Sequence, residues 1–389
     1  MLLGADQSIA RKYNRAQILN RLRVQGAASR ADLARQTGLT RSTISRIIDD
    51  LMEEKLVHEI SENQNSFGRP GTLLALNPSG GSAIGMEIGV HFISIMLTDF
   101  ASSPLWNDRI EINDSIDSDI YISKAEALIT KAISISEQKK LSVKGIGVAI
   151  WGMVNYQTHS IHFAPNLSWR DISLESRWGK LFNVPVIIEN DANAAALGEY
   201  YFGNGQGIDD FIYLSMDIGV GSGIMSKGRL FRGVSGYAGE IGHVTINQKG
   251  TLCNCGKRGC LETEIGRHII IERYRKLTSL ENIPLEHIIE RGQAGDPIAR
   301  KIFDDAGVAI GLGICSAINL LNPGAIIFGW SLGEAYNLFL PAVQRTLREK
   351  CSPGFYENLQ LKPSRMGSND AVYGSIALVL DEIIRETIY

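Results

Sequence analysis

Three of the chain's five cysteines, Cys253, Cys255 and Cys260, fall within eight residues, and His243 stands ten residues ahead of the first. No other feature restricts the fold as tightly. Four soft donors at this spacing can act together only if the backbone turns back on itself, and Gly256 and Gly259 permit those tight turns. One imidazole and three thiolates form the tetrahedral donor set of a structural zinc site, with no position left open for a catalytic water. A reduced cluster without metal, or a redox pair, is the competing reading. A disulfide framework fits less well. The opening "MLLGADQSIARKYNRAQ" is charged within a few residues and has no signal-peptide core, and no run of about 18 apolar residues suggests a membrane span. The expected compartment is therefore the cytoplasm, where clustered cysteines do metal or redox work. Cys315 and Cys351 fall in or near predicted helices and read as buried or inert.

A chain of 389 residues with 44% hydrophobic and 21% charged side chains has room for two or three domains with sizeable cores. The net charge of −3 is unevenly spread. Residues 1–76 hold eleven Lys/Arg against eight Asp/Glu, whereas the remainder holds 28 against 34. A mildly basic head thus precedes an acidic body.

In the head, Ile18, Leu19, Leu22 and Val24 have helical spacing up to Gly26. Ser29 is placed to cap a short helix carrying Leu33 and Ala34, which ends near Thr37-Gly38. Thr40 then caps a second helix with Ile44, Ile47, Ile48 and Leu51 on one stripe and Arg41, Ser42, Thr43, Ser45 and Arg46 on the other. This is the arrangement of a helix-turn-helix, whose second helix enters a major groove and offers short polar and Arg side chains to bases and phosphates. Two strands, Val57–Ile60 and Thr72–Leu76, should follow, joined by a polar loop tipped by Gly68-Arg69-Pro70-Gly71. An Arg on such a loop suits a wing that follows the DNA backbone or enters a minor groove. A small helical bundle with an incidentally basic face is the plainer alternative. Residues 77–81 read as a linker.

From Ala83 the pattern changes to glycine- and β-branched-rich strands alternating with helices such as 121–138, 191–202 and 298–321, which implies α/β sheets with helices outside. Glycine-rich turns follow strands at Gly89, Gly219–Gly223 and Gly329, where a backbone can approach a ligand closely.

These motifs resemble those of the ROK family of repressors and sugar kinases, within the actin-like, ribonuclease-H-like ATPase superfamily. The family carries Glu-x-Gly-His and then Cys-x-Cys-Gly-x-x-Gly-Cys-x-Glu; this chain has Glu240-Ile-Gly-His243 and Cys253-Asn-Cys255-Gly-Lys-Arg-Gly-Cys260-Leu-Glu262. The head is similar to that of the family's sugar-responsive repressors, since the kinases lack it. The resemblance implies an α/β architecture in which a winged helix-turn-helix over residues 1–77 precedes a two-lobed actin-like fold. One lobe would span 82–190, with a C-terminal helix of about 371–389 packing back on it, and the other would span 191–370.

The resemblance also implies a sugar pocket between the lobes. "APNLSW" matches the family's Pro-Asn-Leu motif and nominates Asn166; "ENDANAAALGE" matches its Asn-Asp-x-Asn-Ala motif and nominates Asn190 and Asp191. Gly152, Glu240, His243 and Glu262 complete the set, His243 serving the zinc as well. A polyol requires such converging amides and carboxylates. Asn190 and Asp191 could instead cap the helix beginning at Ala192.

In the kinases the residue at the Asp191 position is the general base. Phosphoryl transfer depends chiefly on positioning ATP and neutralising its charge, and those parts are altered here. Where the kinases have Asp-x-Gly-Gly-Thr, this chain has Glu87-Ile88-Gly89-Val90-His91. The second loop reads Asp217-Ile218-Gly219-Val220-Gly221-Ser222-Gly223, which puts a carboxylate near a polyanion, and the nucleotide-side Gly-Gly has become Gly329-Trp330. Losing one preorganised donor commonly costs about 3 kcal/mol of transition-state stabilisation.

The expected protein is a non-catalytic, sugar-responsive repressor. It would act as a homodimer or homotetramer on double-stranded operator DNA, take a monosaccharide effector and a structural zinc, and have no membrane partner. An ATP-dependent sugar kinase with an accessory DNA-binding head is the alternative; a body that answers to a protein partner is a third reading.

Overall fold

The computed structural model describes residues 2–60, 72–112 and 117–386. It divides into two compact units: residues 1–191 with 372–389, and residues 192–371.

The first unit opens with helix α1 (Leu2–Gln25), which starts well before the expected stripe and stops at Gly26, whose φ is +77°. Ile18, Leu19 and Leu22 are buried, but Val24 points to solvent. Strand β1 (Ala28–Ser29) leads into α2 (Arg30–Thr37). Ser29 caps α2 through a reciprocal box with Asp32, and Gly38 closes it at φ +72°. Helix α3 (Arg41–Glu53) begins at Thr40, whose side chain accepts from the Thr43 amide, and buries Ile44, Ile47, Ile48 and Leu51. Strands β2 (Val57–Ile60) and β3 (Leu73–Leu76) complete a three-stranded antiparallel sheet in the order β1-β3-β2. The expected wing tip, including Arg69, lies outside the described residues.

The larger sheet of this unit contains β4 (Ser82–Ile88), β5 (Phe92–Asp99), β6 (Pro104–Glu111), β7 (Val143–Ile150) and, introduced after three short strands, β11 (Val186–Asn190). Its order is β11-β7-β4-β5-β6. The β4–β5 hairpin turns at residues 89–91 and is antiparallel, while β7 runs parallel to both β4 and β11. The short strands β8 (Met153–Asn155), β9 (Ser160–Ala164) and β10 (Trp169–Ile172) form their own antiparallel sheet. Helices α4 (Ser118–Gln138) and α5 (Leu174–Phe182) cover a core built from Ile84, Ile95, Leu128, Ile146, Trp169 and Trp178.

Helix α6 (Asp191–Phe202) leads into the second unit. Its sheet contains β12 (Phe211–Met216), β13 (Val220–Ser226), β14 (Arg229–Leu230), β15 (Ala325–Gly329) and β16 (Gln360–Pro363), in the order β14-β13-β12-β15-β16. The central β12 pairs antiparallel with β13 and parallel with β15. Around it pack α7 (Glu262–Ile265), α8 (Arg267–Thr278), α9 (Leu285–Gln293), α10 (Pro297–Leu321), α11 (Trp330–Gly333) and α12 (Tyr336–Lys350). Among the described residues α10 alone has the length and apolar composition of a membrane span, and its Ile302, Phe303, Ile310 and Ile314 belong to this unit's core. Helix α13 (Asp370–Glu386) carries the chain back into the first unit, where Ser375 donates to the carbonyl of Met86 at 2.8 Å.

Candidate functional sites

On α3, Arg41, Ser42 and Arg46 are exposed, and Thr43 and Ser45 half-buried. Acidic residues occupy the helix's other end, and three of them are matched: Arg11 bonds Asp50 at 2.6 Å, Arg30 bonds Asp49 at 3.0 Å, and Arg15 bonds Glu54 at 2.7 Å. Arg41 and Arg46 make no ion pair among the described residues, so the N-terminal half of α3 presents uncompensated positive charge. The hydroxyls of Ser42 and Thr43 lie 3.0 and 2.9 Å from Thr40 Oγ1 and are engaged with the cap. Arg69 falls outside the described residues, so the wing's contribution rests on sequence.

In the second unit, His243 ends a 3-10 turn over Ile241–His243, and the bridge Thr245–Cys260 draws the cysteine loop back to it. A side chain at Gly259, where φ is +69°, would place Cβ 1.5 Å from the carbonyl oxygen of Asn247, so only glycine permits the return. The four donor atoms of His243, Cys253, Cys255 and Cys260 all lie within 4.8 Å of one another. Cys253 Sγ is 3.7 Å from His243 Nδ1, and Cys255 Sγ is 3.6 Å from Cys260 Sγ. A tetrahedral zinc with bonds of about 2.3 Å to sulfur and about 2.0 Å to nitrogen sets its donors roughly 3.5–3.8 Å apart, so the residues fit the ion. Burial and neighbouring thiols push Cys260 up to about 12, and burial raises Cys253. Cys255, the exposed member, is lowered by the backbone amide of Lys257. Thiols this crowded favour a cation in their midst.

The knot extends at both ends into carboxylates. His243 Nε2 lies 3.9 Å from Glu240 Oε2, and Cys253 Sγ lies 3.9 Å from Glu262 Oε1. The other oxygen of Glu262 accepts from the amide of Val220 at 3.1 Å, tying the knot to the glycine turn between β12 and β13. Desolvation raises the Glu240 carboxyl; the positive field of His243 opposes this and the charge of Glu262 adds to it.

In the first unit, β7 and β11 end side by side, with Asn190 paired to Ile150. This brings Gly152, Asn190 and Asp191 together beyond the carboxyl ends of parallel strands, where α/β sheets characteristically bind ligands. Asn190 Nδ2 donates to the Gly152 carbonyl at 3.1 Å and to Asp191 Oδ1 at 3.0 Å. A Cβ on Gly152 would lie 2.8 Å from Phe163 O, so β9 runs directly against it. Asn166 follows β9 in the 3-10 turn Pro165–Leu167, is exposed, and has no hydrogen-bond partner among the described residues. Asp191 is itself the first residue of α6. The expected sugar set is thus carried as Gly152, Asn166, Asn190 and Asp191 on one unit and Glu240, His243 and Glu262 on the other.

Beside the glycine turns that would serve a nucleotide the chain places several of its own side chains. Phe92 packs against Gly89, where a Cβ would come 2.2 Å from its ring. Arg109 stacks over the Phe92 ring, 3.7 Å from the centroid, and Trp151 packs against Phe92 in a T-shaped pair. Glu87 is fully buried and accepts from Trp151 Nε1 at 3.0 Å, while the Val90 carbonyl accepts from Tyr121. In the second unit the buried Asp217 accepts from the Ser331 hydroxyl, and Arg267 Nη1 stands 3.6 Å away. Trp330 is buried at φ +62°, a left-handed conformation that a bulky residue holds only under firm constraint. The substitutions at residues 87, 90, 217 and 330 were legible in sequence. The roles of Trp151, Arg267 and Ser331 were not, because each comes from a distant segment. Cys315 and Cys351, read as buried or inert, are buried, and the fold brings their sulfurs to 3.0 Å, a contact the sequence does not show.

Comparison with known proteins agrees with this architecture. Residues 83–382 match the model described as ROK family, and residues 12–64 match the MarR family. The xylose repressor of Bacillus spizizenii is 33% identical over 383 residues, covering 98% of each chain. A solved structure described as a ROK family transcriptional regulator, homolog of E. coli MLC protein, superposes with a TM-score of 0.85 at 27% identity, over 98% of this chain and 99% of that one. A ROK family glucokinase from Streptomyces griseus, solved with glucose and AMPPNP, gives a TM-score of 0.67 at 27% identity; it is covered over 99% of its length by 77% of this chain.

Proposed function

Because this chain belongs to the ROK family and carries a MarR-type helix-turn-helix head, we propose that it is a sugar-responsive DNA-binding transcriptional regulator, a repressor whose operator affinity changes when a monosaccharide binds. The observation that carries this reading is the full-length likeness to a xylose repressor, head included. It is reinforced by Arg41 and Arg46 on α3, which make no ion pair among the described residues and suit contacts with bases and phosphates. Ser42, Thr43, Ser45 and Arg69 complete the proposed DNA set. A dimer or tetramer would place two heads on a pseudo-palindromic operator. The cytoplasm, where that DNA is found, is the proposed location.

We assign the sugar hydroxyls to Gly152, Asn166, Asn190 and Asp191 on one unit and to Glu240, His243 and Glu262 on the other. Sugar binding alters operator affinity only as far as the two conformations differ in sugar affinity; tenfold corresponds to about 1.4 kcal/mol. Zinc is the proposed ion for His243, Cys253, Cys255 and Cys260, where it supplies a structural cross-link. With that loop held, His243 presents Nε2 toward Glu240, and Glu262 keeps its bond to Val220.

We propose no catalysis. The turns that would clasp a triphosphate hold Phe92 in one unit and the Asp217–Ser331–Arg267 group in the other. The retained Asp191 favours a second reading, an ATP-dependent sugar kinase with a DNA-binding head. A coupled assay with hexoses and pentoses separates the two: phosphorylation at ordinary turnover selects the kinase. The regulator is tested by fluorescence anisotropy with DNA fragments upstream of the gene, with and without a sugar library. An affinity change produced by one sugar supports it, and no DNA binding under any condition removes it.

A further inference from the structure

The second unit holds another pair of thiols, separate in sequence from the metal knot. Cys315 lies in the last third of α10, and Cys351 is the C-cap of α12, 36 residues later. The two sulfurs are 3.0 Å apart, with the Cys351 thiol donating to Cys315. Helix packing sets this approach. On α10, Gly307 and Gly311 precede Cys315 at successive four-residue steps and so share its face. A Cβ at Gly307 would come 2.4 Å from the carbonyl of Phe339, and one at Gly311 would come 2.7 Å from Thr346 Cβ. The backbone of α10 therefore lies directly against α12, and the next step of the same ridge reaches Cys351.

Local hydrogen bonds make the two sulfurs unequal. Cys315 Sγ accepts both from Cys351 and from Asn319 Nδ2 at 3.6 Å; Asn319 in turn accepts from the amide of Ser352 at 3.3 Å. Burial and the adjacent sulfur push the Cys351 thiol up to about 12. Both side chains sit just below the surface, 8% and 7% exposed, beneath the exposed Asn319 and Ser352.

We propose that Cys315 and Cys351 form a redox-sensitive dithiol, which a peroxide converts to a disulfide joining α10 to the end of α12. The Cys315 thiolate attacks one peroxide oxygen and the O–O bond breaks, leaving a sulfenic acid and a hydroxide that takes up the thiol's proton as water. Cys351 then attacks the Cys315 sulfur, the S–O bond breaks, and a second water departs with the Cys351 proton. The two sulfurs lose two electrons and the peroxide gains them.

The test uses the full-length, zinc-loaded chain, exposed to hydrogen peroxide, alkylated after denaturation and digested without reduction. Mass spectrometry should find the peptides of Cys315 and Cys351 joined and two hydrogens lighter than their free sum, with dithiothreitol separating them. The joined protein should melt roughly 5–10 °C higher than a Cys315→Ser chain treated identically, which removes any contribution from oxidation at the zinc loop. Cys351→Ala serves the same purpose if Cys315→Ser does not fold. Recovery of both cysteines as separate alkylated or over-oxidised peptides, or joined only to Cys253, Cys255 or Cys260, overturns the proposal.

Discussion

The imidazole of His243 holds its Nε2 3.9 Å from Oε2 of Glu240 while its Nδ1 faces the sulfur of Cys253 at 3.7 Å. One ring thus joins the cysteine cluster to a carboxylate of the proposed sugar set, and what orders the cluster also orders Glu240.

That arrangement predicts about one zinc per chain by plasma mass spectrometry, the ratio of a single tetrahedral site. Cys260→Ser should remove the metal and lower Tm. Sugar affinity should fall at least tenfold, about 1.4 kcal/mol, because Glu240 and Glu262 lose their fixed positions. Full zinc occupancy in Cys260→Ser would count against the cluster as the site.

Asp191 and Asn190 bond each other at the ends of β11 and α6. Replacing Asp191 with Ala removes an acceptor without creating a cavity in either core. Calorimetric titration with the effector sugar should show affinity reduced about 10–100-fold, the usual cost of a lost hydrogen bond to a charged group. Operator affinity without sugar should not change. An unaltered sugar isotherm would take Asp191 out of the proposed set.

On α3, Arg46→Ala and Arg41→Ala should weaken operator binding in distinguishable ways. A residue that contacts phosphate lowers affinity on all sequences and reduces the slope of log K against log salt by about 1. One that reads a base edge costs about 1–3 kcal/mol and relaxes specificity at one position. Anisotropy titrations at several salt concentrations tell these apart; no change with either variant would argue against α3 as the reading helix.

Asp296 caps α10 through the amides of Ile298 and Ala299, and it also accepts from the hydroxyl of Tyr274 and from Arg291. The Tyr274 bond is the largest influence holding its carboxyl down, at about 2. An unfolded Asp titrates near 3.9, so the folded state binds the proton more weakly. The stabilisation is therefore complete above about pH 5 and is lost progressively as pH falls toward 2. Asp296→Ala should cost about 1–2 kcal/mol at pH 7 in urea unfolding, the range for a lost helix cap. The gap from the natural chain should narrow at pH 3; a gap independent of pH would remove the linkage.

Much of this was readable from local sequence. The stripe Ile44, Ile47, Ile48 and Leu51, the caps Ser29 and Thr40 and the strand at Val57–Ile60 appear as expected, because periodicity and capping act between residues a few positions apart. The cysteine knot was equally legible, since its donors sit close together in the chain. Val24 shares the helical spacing of Ile18, Leu19 and Leu22 but points to solvent, because spacing reports where apolar residues recur and not where a partner surface ends.

By itself the sequence determined which segments turn, cap and alternate, and that four soft donors must gather. Only the tertiary structure decided that Trp151 meets Phe92, that Ser331 and Arg267 meet Asp217, and that Cys315 touches Cys351. The physical reason is range. Propensity, periodicity and capping are written in neighbouring residues, whereas these contacts join positions brought together by sheet order and by α10 pressing on α12 through Gly307 and Gly311. Packing of that kind depends on how whole elements fit against each other, and no single stretch of chain encodes it.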